Sequence, residues 1–136
     1  MARRGVRAVS LRSPLGQVLG TGSARQGVHH WWVQRLTSIA LVPLSIWFLV
    51  SLLSLPSLDH WVVSAWMAHS VTALLLILLV LVAAWHSQLG LQVIVEDYVR
   101  GNGARTLTLV AITFAHVLLG AAGVLAVLKV ALRGVQ

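Results

Sequence analysis

The chain has 136 residues, enough for one domain, but 58% hydrophobic residues against 10% charged ones and a mean hydropathy of +0.88 exclude an ordinary soluble fold. It contains no cysteine, which excludes disulfides, thiol chemistry and cysteine-held iron–sulfur clusters on this chain, and leaves histidine as the natural ligand for a transition metal. Of the net charge of +7, most sits at one end, where six arginines precede residue 36 with no acidic residue among them; in so apolar a chain this pattern is read as membrane topology, not as nucleic-acid binding.

Residues 1–30 carry Arg3, Arg4, Arg7, Arg12 and Arg25 among glycine and serine. They lack the uninterrupted apolar run of a secretory signal peptide and read as a cytoplasmic N-terminal arm, although an arginine-rich, acid-free start also resembles an organellar transit peptide. Residues 31–136 read as an all-α, three-span transmembrane domain. At its entrance stand Trp31, Trp32 and Arg35, an aromatic pair and a cation of the kind found at a membrane interface.

Span one is expected over 36–55, an uncharged stretch of about 30 Å as a helix, with a local kink at Pro43. The link Pro56–Trp61 has no lysine or arginine and suits the outer side. Span two is expected over 66–95, about 45 Å if continuous, so that it must tilt or project. Its inner end carries Glu96, Asp97, Tyr98 and Arg100 before the turn signal Gly101-Asn102-Gly103. Span three is expected over 107–128, with Gly120 and Gly123 facing another helix. The distribution of lysine and arginine places the N-terminus inside and the C-terminus outside; Lys129 and Arg133 run mildly against the rule, and snorkelling to the outer headgroups would accommodate them.

An ionisable ring inside a span is costly and usually functional. His86 lies about 14 Å from the inner end of its span, Gly90 lies one turn along the same stripe, and Asp97, eleven residues on, nearly closes three turns. His86 has three candidate roles: axial ligand to haem, proton relay, or interhelical hydrogen bond. Arg35 is a positive-inside anchor by default; beside a haem it would bind the propionates as a bidentate cation. Tyr98 and Asp97 stand where span two leaves the bilayer, at a depth where a phenol can donate to a quinone carbonyl. His69 lies about 25 Å from His86 along the helix, too far to share one iron, and reads as a hydrogen-bonding residue near the outer face. His116 matches the depth of His86, so an intrachain bis-histidine site stays open.

The spacing His-x3-Gly-x6-Asp-Tyr, formed by His86, Gly90, Asp97 and Tyr98, resembles the signature of the D-type hydrophobic membrane anchor of succinate dehydrogenase, complex II. The runs Gly22-Ser23-Ala24-Arg25 and His30-Trp31-Trp32-Val33-Gln34-Arg35-Leu36-Thr37 are similar to the bacterial branch of that family nearest to mitochondria. The resemblance covers nearly the whole chain. It implies that His86 supplies one axial ligand to a haem b whose other ligand comes from a C-type cytochrome b anchor subunit. Arg35, with His30 nearby, would contact the haem propionates, and Tyr98, assisted by Asp97, would hold ubiquinone. Flavoprotein and iron–sulfur subunits would dock on the inner face of a bacterial cytoplasmic membrane, in a respiratory complex of the tricarboxylic acid cycle. Two rivals remain at this point: the cytochrome subunit of a fumarate reductase or other quinone-linked oxidoreductase, and a cofactor-free membrane scaffold.

Overall fold

A computed structural model describes residues 23–133 of the chain, with side chains from Gly27 onward. The greater part of the expected N-terminal arm, with Arg3, Arg4, Arg7, Arg12 and Gly22, lies outside the described residues. Within them the protein is all-α: α1 (Ser23–Leu53), α2 (His60–Ala68), α3 (Ser70–Tyr98) and α4 (Asn102–Arg133). Three segments are long and apolar enough to cross a membrane, Gly27–Leu53, Ser70–Tyr98 and Asn102–Arg133. The first and third are longer than the stretches expected for them, because the helices continue into the flanking polar residues, whereas the second, at 29 residues, is shifted toward the C-terminus. At the N-terminus the helix takes in residues 23–30. The helix α1 runs unbroken through Pro43. Membrane helices tolerate proline where neighbouring groups re-satisfy the carbonyl that it frees.

The start of span two departs from expectation. Trp66, Met67 and Ala68 belong to a separate nine-residue helix, α2, and the spanning helix begins only at Ser70. His69 separates them in extended conformation, with φ −67° and ψ 127°. Its N–H donates to the Trp66 carbonyl and its own carbonyl accepts from Ala73 N–H, so the backbone closes one helix and opens the next at a single residue. Its ring makes no capping hydrogen bond. With 29 residues, α3 is about 43 Å long and still exceeds the hydrocarbon thickness.

The helix α3 is central, packing along both α1 and α4, while the backbones of α1 and α4 do not approach each other within the described residues. All four helices meet at the end remote from Tyr98. There Ala73, Leu76 and Val127 form the core, packed against Trp47, Phe48, Trp66, Met67, Ile77 and Ala131. The Trp47 and Trp66 rings stack with centroids 6.2 Å apart, and Trp66 Nε1 donates to Ser51 Oγ at 2.9 Å, which gives the buried indole N–H its partner. The α3–α4 seam depends on small residues, as expected: Gly120 is buried, and a Cβ at Gly123 would stand 2.7 Å from Val80 Cγ1. The turn between α3 and α4 holds Gly101 at φ +98°, a conformation that glycine adopts without a Cβ penalty. The bundle is therefore closed at one end and open at the end bearing His30, Asp97 and Tyr98.

Candidate functional site

Hydroxyl groups in an apolar helix must be satisfied locally, and here they bond back to carbonyls one turn earlier. Thr37 Oγ1 lies 2.9 Å from the Val33 carbonyl oxygen and 3.0 Å from that of Gln34, and Ser38 Oγ donates to Gln34 O at 2.8 Å. Thr37 differs from the other back-bonded threonines in having a third neighbour. The Nδ1 of His86, on α3, is 3.0 Å from its oxygen. His86 is thus half-buried in the α1–α3 interface, and its Nδ1 is engaged across that interface. One turn further, a Cβ built on Gly90 meets no heavy atom within 4 Å, so the stripe leading from His86 to Asp97 contains open space.

His30 stands seven residues before Thr37, two turns away on nearly the same stripe of α1. Its Nε2 is buried and has no hydrogen-bond partner among the described residues, an arrangement that buried polar atoms rarely leave unexplained. Arg35 lies about 200° round α1 from Thr37 by helical register. Its guanidinium carbon sits 5.5 Å from the centroid of the Trp31 ring, a cation–π contact on the exposed side of the helix. The structure therefore brings Thr37 and His86 together, with His30 on the same stripe of α1, and leaves Arg35 on the other side of that helix.

Asp97 and Tyr98 close α3, about 16 and 18 Å along the axis from His86, and both are exposed, Tyr98 at 80%. The acidic residue next to them, Glu96, accepts from Gln92 Nε2 at 2.8 Å. They form a second locus, separate from His86 and open to a neighbour at the end of the bundle.

His116 belongs elsewhere. Its Nδ1 bonds to the Ile112 carbonyl at 2.8 Å, and with Ala84, Trp85, Gln88, Thr113 and Gly120 it lines an apolar cavity of about 760 Å³ between α3 and α4. Ala84 and Gln88 are each two residues from His86, about 160° round the helix. His86 faces α1 while His116 faces the other side of α3, so the two histidines of matched depth do not converge. No group of three or more histidine and carboxylate side chains that could hold a metal ion occurs among the described residues.

Thr37 is the site residue that sequence reasoning missed. A threonine near the start of an apolar helix carries no local signal, and only the register of α1 on α3 shows that it meets His86.

Comparison with known proteins places this geometry in context. Residues 10–121 match the family model described as succinate dehydrogenase/fumarate reductase transmembrane subunit. The chain is 32% identical over 116 residues, covering 85% of it and 93% of the relative, to the succinate dehydrogenase hydrophobic membrane anchor subunit of Rickettsia bellii. It is also 32% identical over 80 residues, 58% of the chain and 64% of the relative, to the subunit of the same description from Rickettsia conorii.

Proposed function

The chain belongs to the succinate dehydrogenase/fumarate reductase transmembrane subunit family, and from that premise we propose that it is the hydrophobic membrane anchor of a succinate:ubiquinone oxidoreductase. In this reading it pairs with a C-type anchor in a bacterial cytoplasmic membrane, N-terminus inside, and together they dock iron–sulfur and flavoprotein subunits on the inner face. The chain has no activity alone.

The observation that carries the reading is a histidine deep in a span whose Nδ1 is held by a neighbouring helix while Nε2 stays uncommitted. That is the state of an imidazole ready to act as an axial ligand. The residues fit haem b: His86 offers the iron ligand, Gly90 leaves room for a flat edge, and the orphaned Nε2 of His30 supplies a polar contact for a propionate. Haem b, when bound, supplies a one-electron centre between the two anchors. Arg35, on the outer flank of α1, would reach a propionate only by leaving its stack on Trp31, so His30 is the better placed of the two.

At the end of α3 the Tyr98 phenol donates to a ubiquinone carbonyl, and Asp97 beside it orients the headgroup and passes a proton to an oxygen as electrons arrive from the iron–sulfur subunit. Exposure of Tyr98 supports this, because an exposed donor is free to engage a ligand delivered from the lipid.

A second reading has one observation in its favour: the His86–Thr37 bond by itself ties α1 to α3, as a scaffold would. Affinity recovery of the tagged chain from membranes tests the reading as a whole. A complex with flavin, iron–sulfur clusters and b-type haem is the expected result; recovery of the chain without redox centres would favour the scaffold.

A further inference from the structure

We infer that Thr37 is a positioning residue that fixes the tautomer and the ring plane of His86, so that Nε2 is the nitrogen offered to a metal. The inference rests on the reading of His86 as an axial ligand. A hydroxyl has one proton and two lone pairs. Thr37 Oγ1 has two carbonyl oxygens within 3.0 Å, Val33 O and Gln34 O, and a carbonyl can only accept. The hydroxyl proton is therefore directed to that pair, and the lone pairs are left for the third neighbour. His86 Nδ1, at 3.0 Å, must then be the donor. A neutral imidazole protonated on Nδ1 has its lone pair on Nε2.

The reverse tautomer would require the Thr37 hydroxyl to give up both carbonyls at once in order to donate to Nδ1. His116 provides the internal comparison. Its Nδ1 is held by Ile112 O, a carbonyl of its own helix, so its ring is aimed by α4 alone. His86 takes its acceptor from another helix, and its aim exists only when α1 is packed on α3. Formation of the ligand is thereby coupled to assembly of the span. An acceptor on Nδ1–H also increases the electron donation of the imidazole to a metal and favours the oxidised iron.

The test uses the assembled complex carrying Thr37→Val, of nearly the same shape but without the acceptor, Thr37→Ala, Thr37→Ser and His86→Ala. In Thr37→Val the haem midpoint potential is expected to rise, the low-field g value of the low-spin haem to shift as the ring plane turns, and haem retained through purification to fall severalfold. Thr37→Ser should restore all three. Unchanged potential and g value in Thr37→Val, or equal losses in the serine and valine variants, would overturn the role of Thr37 while leaving His86 as ligand. A b-type spectrum that survives His86→Ala would instead overturn the reading beneath it.

A readout that needs no haem covers the case in which the valine and alanine complexes do not assemble. In the full chain labelled with 15N-histidine and purified in detergent, the resonances missing from His86→Ala identify His86. Protonation on Nδ1 in the unaltered chain and in Thr37→Ser is the expected result. Protonation on Nε2 in the unaltered chain would contradict the proposal.

Discussion

The Thr37 hydroxyl of α1 and the His86 ring of α3, 49 residues apart in the chain, meet at 3.0 Å inside the interface of the two helices. Below that contact lie His30, on the Thr37 stripe of α1, whose buried Nε2 has no hydrogen-bond partner among the described residues, and the open stripe at Gly90; above it, the aromatic cluster of Trp47, Phe48 and Trp66 closes the bundle. One face of α3 is thus packed against the aromatic cluster at one end and carries His86 and the open stripe at Gly90 toward the other, while its opposite face is used for packing α4.

That division separates two glycines. A Cβ at Gly123 would stand 2.7 Å from Val80 Cγ1, whereas one at Gly90 meets nothing within 4 Å. Gly123→Ala forces Val80 or the helix to move, at a cost of about 1–3 kcal/mol typical of overpacking, and should lower the thermal stability of the purified chain. Gly90→Ala should leave that stability equal or slightly higher, since alanine is preferred to glycine within a helix by roughly 1 kcal/mol. Thermal unfolding of both variants in one detergent checks the contrast. If Gly90→Ala is as damaging as Gly123→Ala, α3 is packed differently.

Tyr98→Phe removes one hydroxyl from an exposed residue at the end of α3 and should leave assembly unaffected. Ubiquinone reduction is expected to fall by about tenfold or more, the loss of one charge-neutral hydrogen bond and its orienting effect, while electron transfer from succinate to a soluble artificial acceptor is maintained. Parallel assays on the same membranes check it. An equal loss in both would place the defect upstream of Tyr98.

His116→Ala should leave a b-type spectrum unchanged in position and intensity, because His116 faces the α3–α4 cavity and not the side of α3 that carries His86. A spectrum that turns high-spin in this variant would mean that α4 is rotated or that a second ligand comes from this chain.

Much of this was readable in the residues. The three spans follow from uncharged length, the α3–α4 seam from Gly120 and Gly123, and the turn from Gly101. The separation of His86 from Tyr98 follows from counting residues along a helix. The break at His69 was not readable, because Val62, Val63, Ala65, Trp66 and Met67 continue the apolar pattern and neither glycine nor proline marks the interruption; the helix stops there in the backbone alone. The matched depths of His86 and His116 kept an intrachain pair open, since depth is an axial coordinate and only packing settles which side of α3 each ring faces. Thr37 was invisible for the same reason. Its partner is set by interhelical register, which the sequence of α1 does not contain.

The most direct measurement is the reduced-minus-oxidised spectrum of the complex carrying His86→Ala, with the amount of assembled complex determined in the same sample. Low-spin b-type absorbance that is lost or converted to a high-spin form, in complex that still assembles at least in part, is the expected result. An unaltered b-type spectrum in assembled His86→Ala complex would contradict the assignment of His86 as the haem ligand.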